Sequence, residues 1–235
     1  MERSDTGVRS VQLALDVLEA VVFSGEELGV TQLADRLKVT KGSVHRHLVT
    51  LVDRGYLAQN PITTRYGIGP KCRLLASVAP DTDLKQISEN TMRELRDLLG
   101  HSVVLSSMTP RGALVMLTIV NTSPIEIGVR SGSELSFVQS AQGRVLLAFA
   151  TRPFQQRVLS QPIPRFTDKS LPTREAIEQE LATIFRQGYC AAPEQSMLGI
   201  NAIAAPIFDN RDTCIASIAV VGSIQFLPER ADEKT

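Results

Sequence analysis

The chain has 235 residues, 43% of them hydrophobic and 21% charged, with 25 Lys plus Arg balanced by 25 Asp plus Glu for a formal net charge of zero. That length leaves room for two cores, and the composition is that of a folded protein rather than a disordered one. Zero net charge excludes a uniformly basic nucleic-acid binder, so any such surface is a local patch, and no apolar run approaches the roughly 20 residues of a membrane span.

The opening MERSDTGVRS is polar, without an apolar stretch behind a basic flank, which reads as a chain of cytoplasmic type. VQLALDVLEAVVFSG predicts a helix with Val11, Leu15, Leu18 and Val22 on one face, closed by Gly25. After the turn GEELGV, TQLADRL predicts a short helix capped by Thr31, with Leu33, Ala34 and Leu37 inward. Thr40 is then a natural N-cap for KGSVHRHLVTLVDRG, in which Val44, Leu48 and Leu51 repeat at helical spacing. Helix, short turn and helix at this spacing is a helix-turn-helix signal. YLAQNPITTRYGIG follows as two short runs about a polar turn, a hairpin of the wing type.

From Gly69 the texture changes. PKCRLLASVA reads as a connecting helix, broken at Pro80 and DTD, and LKQISENTMRELRDLL as an amphipathic helix with Ile87, Met92, Leu95 and Leu98 on one side. SVVLSSM, ALVMLTIV and IEIGVR read as strands, SAQGRVLLAF and TREAIEQELATIFRQGY as helices, and NAIAAPIF and CIASIAVVGSI as two closing strands about the turn DNRD. The expected fold class is α+β: a winged helix-turn-helix over 1–68, a linker helix over 69–80, and an α/β domain with a mostly antiparallel sheet over 81–235.

His45 and His47 lie one residue apart, and about 100° per residue on a helix turns them to nearly opposite sides, so they do not hold one metal ion. Cys72, Cys190 and Cys214 are odd in number and widely separated, with no C-x-x-C, and read as small buried thiols; a nucleophilic Cys190 needs an adjacent base such as His101. There is no P-loop, no G-x-S-x-G and no complete G-x-G-x-x-G, since GIGPKC lacks the third glycine. No cofactor and no metal is expected.

LALDVLEAV, VTQLADRLKVTKGSVHRHLVTLVDRGYL, the wing end RYGIG, VRSGSELSF with SAQGRVLLA, and GYCAAPEQSMLGINAIAAPIFD together resemble the IclR family of bacterial transcription regulators, in order and spacing over nearly the whole chain. The resemblance implies a winged helix-turn-helix that binds double-stranded DNA, a GAF-like domain that binds a small organic effector, and a homodimer or a dimer of dimers on an inverted-repeat operator. It also implies a final helix beyond FLPERADEKT, which this sequence does not continue into.

With Val44, Leu48 and Leu51 inward, the opposite arc of the third helix carries Gly42, Ser43, His45, Arg46 and Thr50, with Lys41 at its N-terminal edge. Such an arc suits a recognition helix in the major groove, where Arg and Lys reach guanine acceptors. Between positions 31 and 66 six basic side chains face two acidic ones, a local balance of +4 inside a neutral chain. Arg65 on the wing and Thr31 with Gln32 at a helix N-terminus are expected at phosphates. His47 is expected to be half-buried packing.

Family members that sense small oxo acids hold them with polar groups, and the resemblance carries those positions onto Ala192, Ala202, Ala219 and Val221, with Glu194 retained. All four are apolar here, while main-chain amides near Ala141 and Gln142 are available to an oxygen. An unpaired polar group costs roughly 1–3 kcal/mol to bury, so a rather apolar effector is expected; the alternative is that these are core residues above a closed pocket. Two rival readings are an enzyme with a DNA-binding appendage and an assembly module using its winged helix for protein contacts.

Overall fold

The computed structural model describes residues 7–77 and 84–227 and divides into two compact units, Met1–Asp81 and Thr82–Thr235. The break read at Pro80 and the polar ends of the chain lie outside the described residues. Among the described residues no helix is long and apolar enough to cross a membrane.

In the first unit α1 (Arg9–Val22), α2 (Val30–Leu37) and α3 (Lys41–Asp53) close on a core of Val17, Val21, Leu33, Val44 and Leu48, sealed by Leu57 and Tyr66 from the hairpin β1 (Leu57–Gln59) and β2 (Tyr66–Ile68). Leu57 pairs Ile68 and Gln59 pairs Tyr66, and Leu28 adds a bridge to Tyr66. The buried stripe of α1 is not the one expected. Val17, Ala20 and Val21 are inside, while Val11 and Leu15 are 55% and 51% exposed. VQLALDVLEAVV is apolar on two faces, so its period alone does not choose between them; packing against α3 does. Nor does Thr31 cap α2. The N-cap is Gly29, whose N–H donates to Gln32 Oε1 at 3.0 Å, the backward half of a capping box. Thr40 caps α3 as expected, its Oγ1 accepting from Ser43 N–H at 3.3 Å. A side chain at Gly69 would meet Gly55 O at 2.4 Å, so only glycine fits where the wing passes into α4 (Pro70–Ser77).

The second unit is a six-stranded antiparallel sheet in the order β5-β4-β3-β8-β7-β6. Its strands are β3 (Ser102–Met108), β4 (Ala113–Ile119), β5 (Glu134–Leu135), β6 (Cys190–Ala191), β7 (Ile200–Phe208) and β8 (Cys214–Ser223). One face packs on α5 (Leu84–Leu99) through Met92, Val103, Leu105 and Ile119; the other packs on α6 (Ala141–Ala148) and α8 (Arg174–Gln187), with α7 (Arg152–Leu159) beside them. On α5, Ile87 and Leu98 point out, 66% and 79% exposed, and Leu84, Met92 and Leu95 carry the contact. IEIGVR is no strand: Asn121 Nδ2 donates to Ile125 O, Asn121 Oδ1 accepts from Ile127 N–H, and Thr118 Oγ1 donates to Val129 O, so side chains hold the segment where a ladder was expected.

All eight residues of α6 are buried, and Gly143 lets the helix touch its own lead-in, for a Cβ there would meet Ser136 O at 2.2 Å and Phe137 Cα at 2.7 Å. Both are backbone atoms that do not swing aside. Gly143→Ala should therefore destabilise the second unit by about 1–3 kcal/mol, the usual range for overpacking, despite the better helix propensity of Ala. Urea denaturation followed by circular dichroism checks this; an unchanged midpoint would show that the lead-in shifts freely.

Candidate functional site

The outward arc of α3 is built by exclusion. Val44, Leu48 and Leu51 are buried, so Lys41, His45, Arg46 and Thr50 are exposed and Ser43 is half-buried at the margin. Thr50 Oγ1 donates back to Arg46 O at 3.0 Å, which fixes the rotamer of Thr50 and leaves Arg46 unengaged by it. His47 is half-buried and His45 exposed, on different sides of the helix. Val49, not singled out from the sequence, is 53% exposed on the same outward arc; its signal was its position, since it falls outside the Val44, Leu48, Leu51 stripe.

Thr31 and Gln32 are exposed on the first turn of α2, with Gln32 Oε1 already occupied by the Gly29 amide. On the wing, Asn60 Oδ1 accepts from Ile62 and Thr63 N–H, and the Glu27 carboxylate receives Asn60 Nδ2 and Thr63 Oγ1. Arg65, exposed, is steadied by one bond from Nη1 to Glu27 O at 3.2 Å. Wing and α3 thus present cationic side chains from one folded unit.

In the second unit, register puts the four apolar positions on one sheet face. Ala202 pairs Val221, Ala204 pairs Ala219, and Ala219 in turn pairs Val104; Cys190 pairs Ala204, and Ala192 donates its N–H to Ala202 O at 2.9 Å. The outcome is two neighbouring rows, Ala192, Ala202, Val221 and Cys190, Ala204, Ala219, in one apolar cluster with Ala141 of α6. Phe149, just past the C-terminal end of α6, stacks edge-on against Phe208 at the far end of β7, so the N-terminal end of α6 lies toward Ala202.

That end is held by buried polar bonds. Ser140 Oγ accepts from Gly143 N–H at 3.0 Å and Ser140 O from Arg144 N–H at 3.0 Å, leaving the Ala141 and Gln142 amides without an acceptor inside the helix. The buried Gln139 donates to Pro164 O and Leu171 O and accepts from Leu171 N–H, while Ser196 Oγ donates to Gln139 O at 2.7 Å. This bond draws the loop carrying Glu194 against the lead-in of α6, and Thr167 Oγ1, donating to Glu194 O, ties the same loop to the segment 164–171. Glu194 itself, at φ 56°, turns one carboxylate oxygen onto Gly199 N–H at 2.8 Å within its own loop.

Cys190 has Arg144 and Glu180 as its charged neighbours, and burial pushes its thiol up to about 11 although Arg144 pulls the other way. His101, the base considered for it, packs instead over Gly222. A neutral, enclosed thiol is a poor nucleophile. Among the described residues no group of three or more His, Cys, Asp or Glu could hold a metal ion.

Comparison with known proteins follows the same division. The IclR helix-turn-helix domain matches residues 10–61, and the bacterial transcriptional regulator IclR C-terminal domain matches residues 76–234. The HTH-type transcriptional regulator BhcR of Paracoccus denitrificans is 29% identical over 92% of this chain and 78% of its own, and KdgR of Escherichia coli is 27% identical over 99% and 89%. Among solved structures, an IclR homologue from Microbacterium hydrocarbonoxydans complexed with 4-hydroxybenzoate superposes with a TM-score of 0.76 at 23% identity, over 95% of this chain and 91% of that one. HmgR of Pseudomonas aeruginosa gives 0.69 at 26% identity, over 96% and 92%. The helix-turn-helix unit, the antiparallel α/β unit and both family matches have one conclusion: the chain belongs to the IclR family of transcriptional regulators.

Proposed function

We propose that the protein reads an inverted-repeat operator as a homodimer or a dimer of dimers, with α3 in the major groove, and that an effector with a mainly apolar body, bound under α6, sets its affinity for that operator. The segment 69–80 then couples the two activities. The observation that carries the DNA half is the exposed arc of His45, Arg46, Val49 and Thr50 opposite a fully buried stripe. Arg46 is the base reader in this scheme, Val49 a partner for a thymine methyl, and Lys41, Thr31, Gln32 and Arg65 contact phosphates.

The effector half rests on Ala192, Ala202, Ala219 and Val221 sharing one sheet face. No side chain among them can pair with the hydroxyl or carbonyl of an oxo acid. An aromatic or aliphatic ligand leaves fewer of its own polar atoms stranded there, with one oxygen group directed to the Ala141 and Gln142 amides. The Microbacterium homologue is complexed with an aromatic acid, 4-hydroxybenzoate.

Arg46→Ala should weaken specific binding by about 1–3 kcal/mol and relax base preference, whereas Arg65→Ala should weaken all sequences alike and flatten the salt slope by about one unit. Fluorescence anisotropy on operator and scrambled duplexes over a salt series separates the two. Footprinting should show paired half-sites about 10–10.5 base pairs apart or a multiple of that; a single unrepeated half-site with one protomer bound would count against the dimer. In calorimetry 4-hydroxybenzoate should bind more tightly than glyoxylate or pyruvate, and the reverse order would show that the four positions do not line the pocket.

A further inference from the structure

Arg144 on α6 is fully buried, and beyond the weak contact of its guanidinium with the Cys190 thiol none of Nε, Nη1 and Nη2 has a hydrogen-bond partner. The carboxylate beside it, Glu180 of α8, stands 3.8 Å from Nη1 and is 30% exposed. That is beyond hydrogen-bond length, and a carboxylate still in contact with water answers a buried cation poorly. A guanidinium has five N–H donors, and leaving them unmet in a dry interior is costlier than an apolar side chain of like volume. The residue is therefore poorly explained as a device for stability.

Its place explains it better. The guanidinium lies beside Cys190, which shares a sheet face with Ala192 two residues on, so it stands one row, about 6–7 Å, from the row of Ala192, Ala202 and Val221. Helical side chains lean toward the N-terminus, the end of α6 where the Ala141 and Gln142 amides lack an intrahelical acceptor. We propose that Arg144 receives the carboxylate of the effector, which is thus an organic monocarboxylic acid whose apolar body lies over Ala192, Ala202 and Val221. This rests on the reading that the effector occupies that face, and it names the missing half of the recognition: the charge lies on the helix above the sheet. Glu180 and Cys190 are the other ionisable groups facing the guanidinium; burial keeps Cys190 neutral, and Glu180, 30% exposed and 3.8 Å away, offsets the buried cation only through partly solvated contact.

The test uses the full chain at neutral pH, with 4-hydroxybenzoate and hexanoate as probes and their neutral amides as controls. Wild type should bind each acid about tenfold or more tightly than its amide, and Arg144→Met should bring the pair to near equality by weakening the acid alone. Arg144→Lys should keep part of the preference, since it keeps charge but not the planar fork. Without ligand, Arg144→Met should unfold at the same urea concentration as wild type or a higher one. A lower midpoint, or failure to fold, would make Arg144 a structural partner of Glu180 and overturn the proposal. Equal binding of acid and amide by wild type, or a preference untouched by Arg144→Met, would overturn it while leaving the proposed apolar effector face standing; a wild type that binds none of the four probes would overturn both.

Discussion

A helix with no face toward water must find every backbone partner inside the protein, and α6 is such a helix. In its first turn Ser140 Oγ answers Gly143 N–H, and past its last turn Gln155 Nε2 donates to the Leu147, Ala148 and Ala150 carbonyls at 2.9–3.3 Å. The second of these explains α7, a short helix that buries little of itself but delivers Gln155. Gln139, one residue before the N-cap, ties in the segment around Pro164 and Leu171 and, through Ser196, the loop bearing Glu194. Most of what stands around the four apolar positions is positioned by the needs of this one helix.

The first unit obeys the opposite arrangement. There a three-helix core takes one stripe of α3 and leaves the rest of the helix in water, so the surface that would meet DNA requires no special construction. It is the remainder once Val44, Leu48 and Leu51 are satisfied. The turn before it bears some strain, for Lys38 is held at φ 55°, in the left-handed region that a side chain disfavours. Two successive helices and an unbroken Thr40 cap hold it there.

What could be read from the sequence follows the same contrast. α3, the wing and the two closing strands are legible in the sequence: Thr40 as cap with Val44, Leu48 and Leu51 at helical spacing, and a short apolar run in CIASIAVVGS set off by the turn DNRD. α1 was misread because two of its faces are apolar, and only the position of α3 breaks the tie. Gly29 was passed over as a cap because the bond comes from the residue three places on, through Gln32. The segment of IEIGVR has strand composition, but Asn121 and Thr118 take its backbone first. That Ala192, Ala202, Ala219 and Val221 share a face depended on which strands pair, which alternation within each strand does not supply. The signal for Arg144 in SAQGRVLLA is a charged residue within an otherwise largely apolar helix.

The rows under α6 have a consequence for how such a protein could change its ligand. Ala192, Ala202, Ala204 and Ala219 are all alanine, in one apolar cluster with Ala141 of α6. Alanine and serine differ by one oxygen atom, so a hydroxyl can be written into this floor or erased from it with almost no change in volume, and the distance between helix and sheet is preserved. On the proposed reading of this face, an effector oxygen paired with such a hydroxyl would offset the cost of burying it. A lineage could move between polar and apolar signals in single steps without passing through an unfolded intermediate sequence.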